Sequence, residues 1–183
     1  MEIIQTKLDC YLLSIPNIPD NRGWFRVAFS VDELHRLNLA FEAVHQMNHS
    51  FTEYAGTVRG LNYQEAPYAQ AKVIRCVKGA LYSVGVNIDR SSENFGKWCG
   101  FVLDCKDYNL MYVPRGYAHG FVALEDATEL EYFTDNKYSF EHAKSVRYDD
   151  PEIGIDWTVG GRVRIQKDIL STKNLMAPSL KDI

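Results

Sequence analysis

The sequence predicts an all-β, mainly antiparallel fold with a few short helices. Short segments rich in Val, Ile, Tyr and Phe recur along the chain, and Gly, Asn, Asp or Pro separates them at intervals typical of a β-sandwich or barrel. The length of 183 residues, with 46% hydrophobic and 13% aromatic residues, suits one domain with a full core better than two. We therefore expect residues 1–183 to form a single domain.

Strands are predicted wherever such a segment lies between turn residues. They are Trp24–Ser30, Ala43–Ser50, Thr57–Gln64, Ala71–Val77, Leu81–Ile88, Lys97–Leu103, Leu110–Val113, Gly120–Ala123 and Glu129–Phe133. The segment 81–88 alternates most regularly, with Ser83, Gly85 and Asn87 on one face and larger apolar residues on the other. A small polar face can line a cavity or face solvent, and this segment alone is compatible with both.

Two short helices are predicted from capping signals. Ser30 and Glu33 form an S-x-x-E capping box at the start of Val31–Leu39. Ser171 offers a second capping side chain shortly before Leu175. We expect this second helix to be short, so its role depends on which side chains project from its first turn.

Composition and charge argue against several classes of function. The net charge of −4 and the pI of about 5.7 lack the basic footprint of proteins that bind nucleic acids or membrane surfaces, so no partner of either kind is expected. The first residues do not resemble a secretion signal, and no stretch is long and apolar enough to span a membrane. Four cysteines without a CxxC pair suggest free thiols in the cytoplasm.

The segment Pro114–Phe121 has the P-x-G-x-x-H pattern of a strand, turn and strand in cupins, in which His119 points into the barrel. Metal-binding cupins add an H-x-H pair on an earlier strand. The matching positions here are Asn62 and Gln64, which cannot bind a transition metal as two imidazoles do. We therefore predict a cupin, a double-stranded β-helix or jelly roll, without a bound metal.

Several motifs in the same order make the chain similar to the dTDP-4-dehydrorhamnose 3,5-epimerase family over roughly residues 20–178. They are Asp20–Phe25, Gln46-x-Asn48-x-Ser50, Val58–Leu61, Gln70-x-Lys72, Phe95-Gly96-x-Trp98, Pro114–Phe121, Tyr132–Tyr138 and Asp150–Trp157. The resemblance implies catalysis on a nucleotide-linked 4-keto sugar, whose ketone acidifies the hydrogens on C3 and C5. In the family a His held by an Asp removes a proton from one face, and a Tyr returns a proton from the other.

The resemblance assigns roles to individual positions of this sequence. It makes Tyr132 the proton donor, and it leaves His119 as the only imidazole that a motif places in the cavity. Tyr138 matches the aromatic residue that stacks on the nucleobase. The matches to substrate-binding positions, which hold the diphosphate and the sugar, are Arg22, Gln46, Asn48, Arg59, Gln64 and Lys72.

The catalytic pair is altered at both of its members. Asn62 stands where the family has the basic His, and Asn174 stands where it has the Asp that orients that His. A carboxamide has no useful basicity, and a general base typically contributes about 10²–10⁴ in rate. Val27, Ser83 and Asn87 also replace acidic residues of the family. The cavity is therefore expected to contain neutral hydrogen-bonding groups where the family has charges.

Three functions remain open from the sequence. The first is an epimerase-family enzyme of deoxysugar biosynthesis with an altered stereochemical outcome or substrate. The second is a non-catalytic protein that binds a nucleotide sugar or serves as a partner subunit. The third is a ketoisomerase or dehydratase on the same ligands. The expected partners are a dTDP- or CDP-linked 4-keto-6-deoxyhexose and a second copy of the chain, with residues 1–19 exchanged between subunits, and no cofactor is expected.

Overall fold

The computed structural model describes all of residues 1–183, which fold into two antiparallel sheets and a small hairpin. The strands are β1 (Glu2–Lys7), β2 (Cys10–Ser14), β3 (Ile18–Asp20), β4 (Gly23–Phe25), β5 (Gln46–Thr52), β6 (Val58–Gln64), β7 (Lys72–Lys78), β8 (Ala80–Asn87), β9 (Trp98–Asp104), β10 (Leu110–Val113), β11 (Tyr117–Ala123), β12 (Thr128–Thr134) and β13 (Ala143–Ser145). The predicted all-β, antiparallel fold class is confirmed.

The two sheets pack face to face, and the chain crosses from one sheet to the other several times. One sheet has the order β1-β2-β10-β7-β12-β5, and the other has the order β13-β6-β11-β8-β9. Buried apolar side chains such as Ile74, Leu81 and Leu130 fill part of the space between the sheets. A second core lies where residues from the C-terminal segment, including Trp157 and Leu180, pack on the five-stranded sheet. Both faces of this second sheet are therefore covered.

The predicted solvent-facing alternative for the segment 81–88 is wrong. Every residue of β8 except Tyr82 is buried, including Ser83 and Asn87. The apolar face packs against the C-terminal segment, which the alternation of this strand alone could not reveal. The small polar face points to the interior, and Ser83 forms a hydrogen bond there that bears on the site described below.

Most of the other predicted strands match observed ones within a few residues, with two larger differences. Trp24–Ser30 is a strand only as far as Phe25, because it belongs to the short β3–β4 hairpin and has no further partner strand. The strand predicted at Gly120–Ala123 begins earlier, at Tyr117, since residues 117–123 pair continuously with β8. The segment patterns did not predict β1 and β2, although the family resemblance implied an N-terminal strand within residues 1–19, and β2 is a largely buried member of the larger sheet.

Both predicted helices are present. Helix α1 (Val31–Arg36) begins at Ser30, whose hydroxyl accepts a hydrogen bond from the Glu33 backbone N–H, as the capping box predicts. It ends about three residues earlier than predicted. Helix α2 (Thr172–Leu175) begins at Ser171 and lies against β6. Short 3₁₀ turns occupy Lys167–Ile169 and Leu180–Asp182. None of these helices has the length and hydropathy needed to span a membrane.

Candidate active site

A cavity of about 870 Å³ opens between the two sheets. Its walls come from β5, β6, β7, β11 and β12, and the loop around Tyr138 and the segment 169–174 border it. The predicted site residues that line it are Gln46, Asn48, Arg59, Asn62, Gln64, Lys72, His119, Tyr132, Tyr138 and Asn174. The fold thus gathers residues from seven separate segments into one place.

Arg22 is the one predicted site residue that lies outside this cavity. It is on the turn of the β3–β4 hairpin, where its side chain is 84% exposed and pairs with Asp20 at 2.7 Å. The hairpin forms a separate two-stranded sheet, and Arg22 is not among the residues that line the cavity of its own chain. The position of Arg22 in the sequence motif gave no indication of this separation.

The close approach of β6 and β11 places Asn62 directly opposite His119 in the sheet. Gly60 and Gly120 make this approach possible, because a Cβ on Gly60 would lie 2.5 Å from the Cα of Gly120. Gly60 also has a φ of +120°, which favours glycine. The R-G-L-N segment therefore needs its glycine for packing, and the register that follows brings the two polar side chains to the same wall.

His119 is buried and held by the interior face of β8. Its Nε2 atom lies 2.9 Å from the Ser83 hydroxyl, with which it forms a hydrogen bond. Burial, followed by the positive charge of Lys72, lowers the pKa of His119 to about 3. The imidazole is therefore neutral at physiological pH, and it is a very weak base. No carboxylate orients it.

The two carboxamides at the altered positions are fixed by serine hydroxyls. The Ser145 hydroxyl donates to the Asn62 Oδ1 atom at 2.8 Å, and the Ser171 hydroxyl donates to the Asn174 Oδ1 atom at 2.6 Å. The Asn174 Nδ2 group is buried and has no partner, and the Asn62 Nδ2 group donates no hydrogen bond within the chain. The Asn62 Nδ2 group is consequently free to bind an acceptor such as a carbonyl or hydroxyl oxygen in the cavity, whereas the Asn174 Nδ2 group is enclosed by the protein.

Lys72 is the only buried cation of the cavity. Its ammonium group donates to the backbone carbonyl of Asn62 at 3.1 Å, and no carboxylate lies within salt-bridge distance. Burial, followed by repulsion from Lys173, lowers the pKa of Lys72 to about 8. The side chain of Lys72 therefore carries a neutral amine in an appreciable fraction of molecules near neutral pH.

Two tyrosines occupy different depths. Tyr132 packs against the buried core, and burial raises the pKa of its hydroxyl, so it stays protonated and can donate a proton. Tyr138 is half exposed at the cavity edge, where an aromatic ring is available for stacking. Gln64 supports this loop: its amide donates to the carbonyls of Tyr68 and Lys137, and its Oε1 atom accepts from the Ser139 N–H.

The charges that line the cavity are all positive. Arg59 and Lys173 are exposed near its entrance, Lys72 is buried, and no Asp or Glu contributes to the lining. Lys173 was not singled out from the sequence, although its place in the first turn of a capped helix beside Asn174 could have indicated it. No group of three or more His, Cys, Asp or Glu side chains is arranged to hold a metal ion. The cavity is suited to an anionic organic ligand.

Together, the two packed antiparallel sheets and the interior cavity define a cupin-like jelly roll with a small-molecule site. The sequence profile of dTDP-4-dehydrorhamnose 3,5-epimerase matches residues 5–182, and the chain belongs to this family. A dTDP-4-dehydrorhamnose 3,5-epimerase of Sinorhizobium fredii is 37% identical over 164 residues, which cover 90% of this chain and 81% of the relative. The predicted family and cupin fold are confirmed.

Two solved structures extend the comparison to ligand complexes. A dTDP-6-deoxy-D-glucose 3,5-epimerase of Legionella pneumophila, in complex with dTDP-4-keto-L-rhamnose, has a TM-score of 0.88 and 30% identity, covering 100% of this chain and 94% of its own. ChmJ, a 3′-monoepimerase of Streptomyces bikiniensis in complex with dTDP-quinovose, has a TM-score of 0.82 and 28% identity, covering 94% and 84%. Structural relatives thus include both double and single epimerases.

Proposed function

We propose that this protein binds a dTDP-linked 4-keto-6-deoxyhexose and catalyses proton transfer at a carbon next to the ketone, as a divergent epimerase of deoxysugar biosynthesis. The observation that carries the proposal is the cavity itself, which combines a cationic lining with a neutral polar interior. The family membership and the dTDP-sugar complexes of two structural relatives support the same ligand class.

The distribution of charge in the cavity indicates how such a ligand would lie. Arg59 and Lys173 near the entrance can form charge-assisted hydrogen bonds to the diphosphate. Tyr138 at the edge can stack on the base. The sugar then reaches the interior, where the free N–H donor of Asn62 can bind one of its oxygen atoms. Each part of the ligand therefore meets groups of matching chemistry.

The reaction that we propose changes one centre or both centres next to the ketone. Tyr132 donates the proton from the six-stranded sheet, because burial keeps its hydroxyl protonated. Asn62 can stabilise the negative charge on the ketone oxygen as it develops, since its Nδ2 group lines the cavity and donates no hydrogen bond within the chain. Because Asn62 stands where the family has its basic histidine, we propose an outcome that differs from the double epimerisation of the 3,5-epimerase relatives.

Isothermal titration calorimetry and solvent exchange test the proposal separately. We expect dTDP to bind more tightly than CDP or inorganic diphosphate, and we expect Arg59→Ala to weaken dTDP binding. In D₂O, the protein should introduce deuterium at C3 or C5 of dTDP-4-keto-6-deoxyglucose, as read by NMR. Absence of binding to any nucleotide or nucleotide sugar would contradict the proposal.

A non-catalytic sugar-binding protein or partner subunit is the second candidate, because both family catalytic positions are neutral amides. It predicts binding without deuterium exchange for every 4-keto sugar tested. Binding together with exchange at C3 or C5 would exclude it.

A ketoisomerase or dehydratase would instead convert the sugar to a product with a shifted ketone or a lost hydroxyl, which the same NMR experiment distinguishes.

We also propose that the protein is a homodimer in which the N-terminal region contacts the partner. All residues of the edge strand β1 are exposed, and the β3–β4 hairpin exposes Trp24 and Phe25 by 49% and 61%. Exposed strand edges and apolar patches are typical of interfaces. Light scattering should give twice the chain mass for the wild type and a lower mass for Trp24→Ser with Phe25→Ser. The matched control Phe140→Ser, at an 85% exposed residue elsewhere, should stay dimeric.

The cysteines favour a reducing compartment for this protein. All four are free, and three of them are buried. Proteins of oxidising compartments commonly use such residues in disulfides. We therefore propose the cytoplasm as its location.

A further inference from the structure

The side chain of Lys72 crosses the interior of the protein. Its backbone belongs to β7 in the six-stranded sheet, whereas its Nζ atom reaches the five-stranded sheet and lies 3.1 Å from the Asn62 carbonyl oxygen. The amine thus lies beside residue 62, the position at which the family sequence has its basic histidine. Tyr132 lies on β12, which pairs with β7 in the six-stranded sheet, so the Lys72 Nζ atom at the five-stranded sheet lies across the interior from the strand that carries Tyr132.

The surroundings of this amine disfavour its positive charge. The side chain is buried, and no Asp or Glu oxygen lies within 4.0 Å of Nζ. The other lining residues with titratable side chains are Lys173 from α2, His119 from β11, Tyr132 from β12, Arg59 and Tyr63 from β6 and Tyr138 from the bordering loop, and none of them is an Asp or Glu. A pKa of about 8 follows from this burial and from the charge of Lys173, so the neutral amine is accessible at physiological pH.

No other side chain in the cavity combines a free lone pair with suitable basicity. The Nε2 atom of His119 is engaged with Ser83, and a pKa of about 3 makes this imidazole too weak a base. Tyr132 is held in its protonated form by burial. Asn62 and Asn174 are amides. A proton-transfer base works best when its pKa is near the operating pH, and Lys72 alone satisfies this condition.

We propose that Lys72 is the base that removes the proton next to the ketone of the bound sugar. This inference rests on the proposed function and names the residue that performs its first step. The C–H bond breaks, its proton moves to Nζ, and its electron pair forms the C=C bond of an enolate whose charge resides on the former ketone oxygen. Tyr132 then donates its proton to the opposite face of the carbon, which inverts the centre. The ammonium group returns a proton through water to the tyrosinate, so no net proton is consumed.

Two substitutions at Lys72 separate a base from a simple cation. Lys72→Met removes both functions, whereas Lys72→Arg keeps a positive charge that cannot act as a base near neutral pH. We expect both variants to lose deuterium exchange by at least about 10²-fold, in the range of a general-base contribution. Wild-type exchange should rise with pH with a midpoint near 8. In Lys173→Met, whose nucleotide binding we expect to be weaker, the midpoint of exchange at saturating sugar should move to higher pH, because a neighbouring charge that lowers the pKa of Lys72 is gone.

A titration of the Lys72 amine without substrate separates this inference from the proposed function, because it does not depend on enzymatic activity. In protein labelled with ¹³C- and ¹⁵N-lysine, the Lys72 signal, identified by its absence in Lys72→Met, should titrate near pH 8. Titration at the ordinary value near 10.4 would overturn the inference alone. Exchange by Lys72→Arg at the wild-type rate would do the same while leaving the proposed function intact. A wild type that neither binds dTDP nor exchanges label would overturn both.

Discussion

Replacing Lys72 with Met should stabilise the protein at neutral pH. The pKa of Lys72 falls from 10.5 to about 8 on folding, and each pKa unit corresponds to about 1.4 kcal/mol, so the ionised side chain destabilises the folded state by about 3 kcal/mol at pH 7. Methionine has similar length and no charge, but it lacks the hydrogen bond from Nζ to the Asn62 carbonyl, a loss of about 1 kcal/mol. We therefore expect a net gain of about 2 kcal/mol in the free energy of unfolding.

The pH dependence gives this prediction its sharpest test. Between pH 8 and 10.5 the unfolded chain binds more protons at Lys72 than the folded chain, so the stability of the wild type relative to Lys72→Met should rise with pH across this window. Urea unfolding, followed by tryptophan fluorescence at pH 7 and pH 10.5, measures the difference. The exposed Lys97→Met should change stability by less than about 0.5 kcal/mol at either pH. A variant that is less stable than the wild type by the same amount at both pH values would refute the reasoning.

Three further changes test other parts of the site. Asn62→His combined with Asn174→Asp restores the family's catalytic pair and should raise deuterium exchange by about 10²-fold or more, whereas an unchanged rate would show that the scaffold cannot position that pair. Lys173→Ala should weaken dTDP binding about tenfold at low salt and less at 0.5 M salt, as measured by calorimetry, because it removes an exposed charge. Ser145→Ala leaves the half-buried Asn62 Oδ1 atom without its donor and should lower the free energy of unfolding by about 1 kcal/mol, a prediction that unaltered urea unfolding would contradict.

The sequence predicted the fold class and many of the residues that line the cavity, because strand patterns and spaced motifs indicate which residues face the interior. The capping box at Ser30 correctly predicted the start of α1, because it depends only on local hydrogen bonds. The exposure of Arg22 could not be predicted, since it depends on how the β3–β4 hairpin sits relative to the sheets. The burial of both faces of β8 likewise depends on a C-terminal segment far away in the sequence.

The role of Lys72 is the clearest example of a property that the sequence alone does not predict. Its motif indicates a residue that holds the sugar or the diphosphate, and nothing in the local sequence records that its amine reaches across to Asn62. Nor can sequence spacing show that no carboxylate accompanies this amine, because its neighbours come from four other elements of the chain. The altered pKa is a property of the assembled cavity rather than of the Gln70-x-Lys72 motif.

A crystal structure with a bound dTDP-linked 4-keto-6-deoxyhexose tests the central claim most directly. We expect the sugar ring between Lys72 and Tyr132, with Nζ within about 3.5 Å of C3 or C5, the distance that direct proton transfer requires. The diphosphate should lie near Arg59 and Lys173. Contact of the Lys72 Nζ atom with a phosphate oxygen, with the sugar outside the interior of the cavity, would contradict the account.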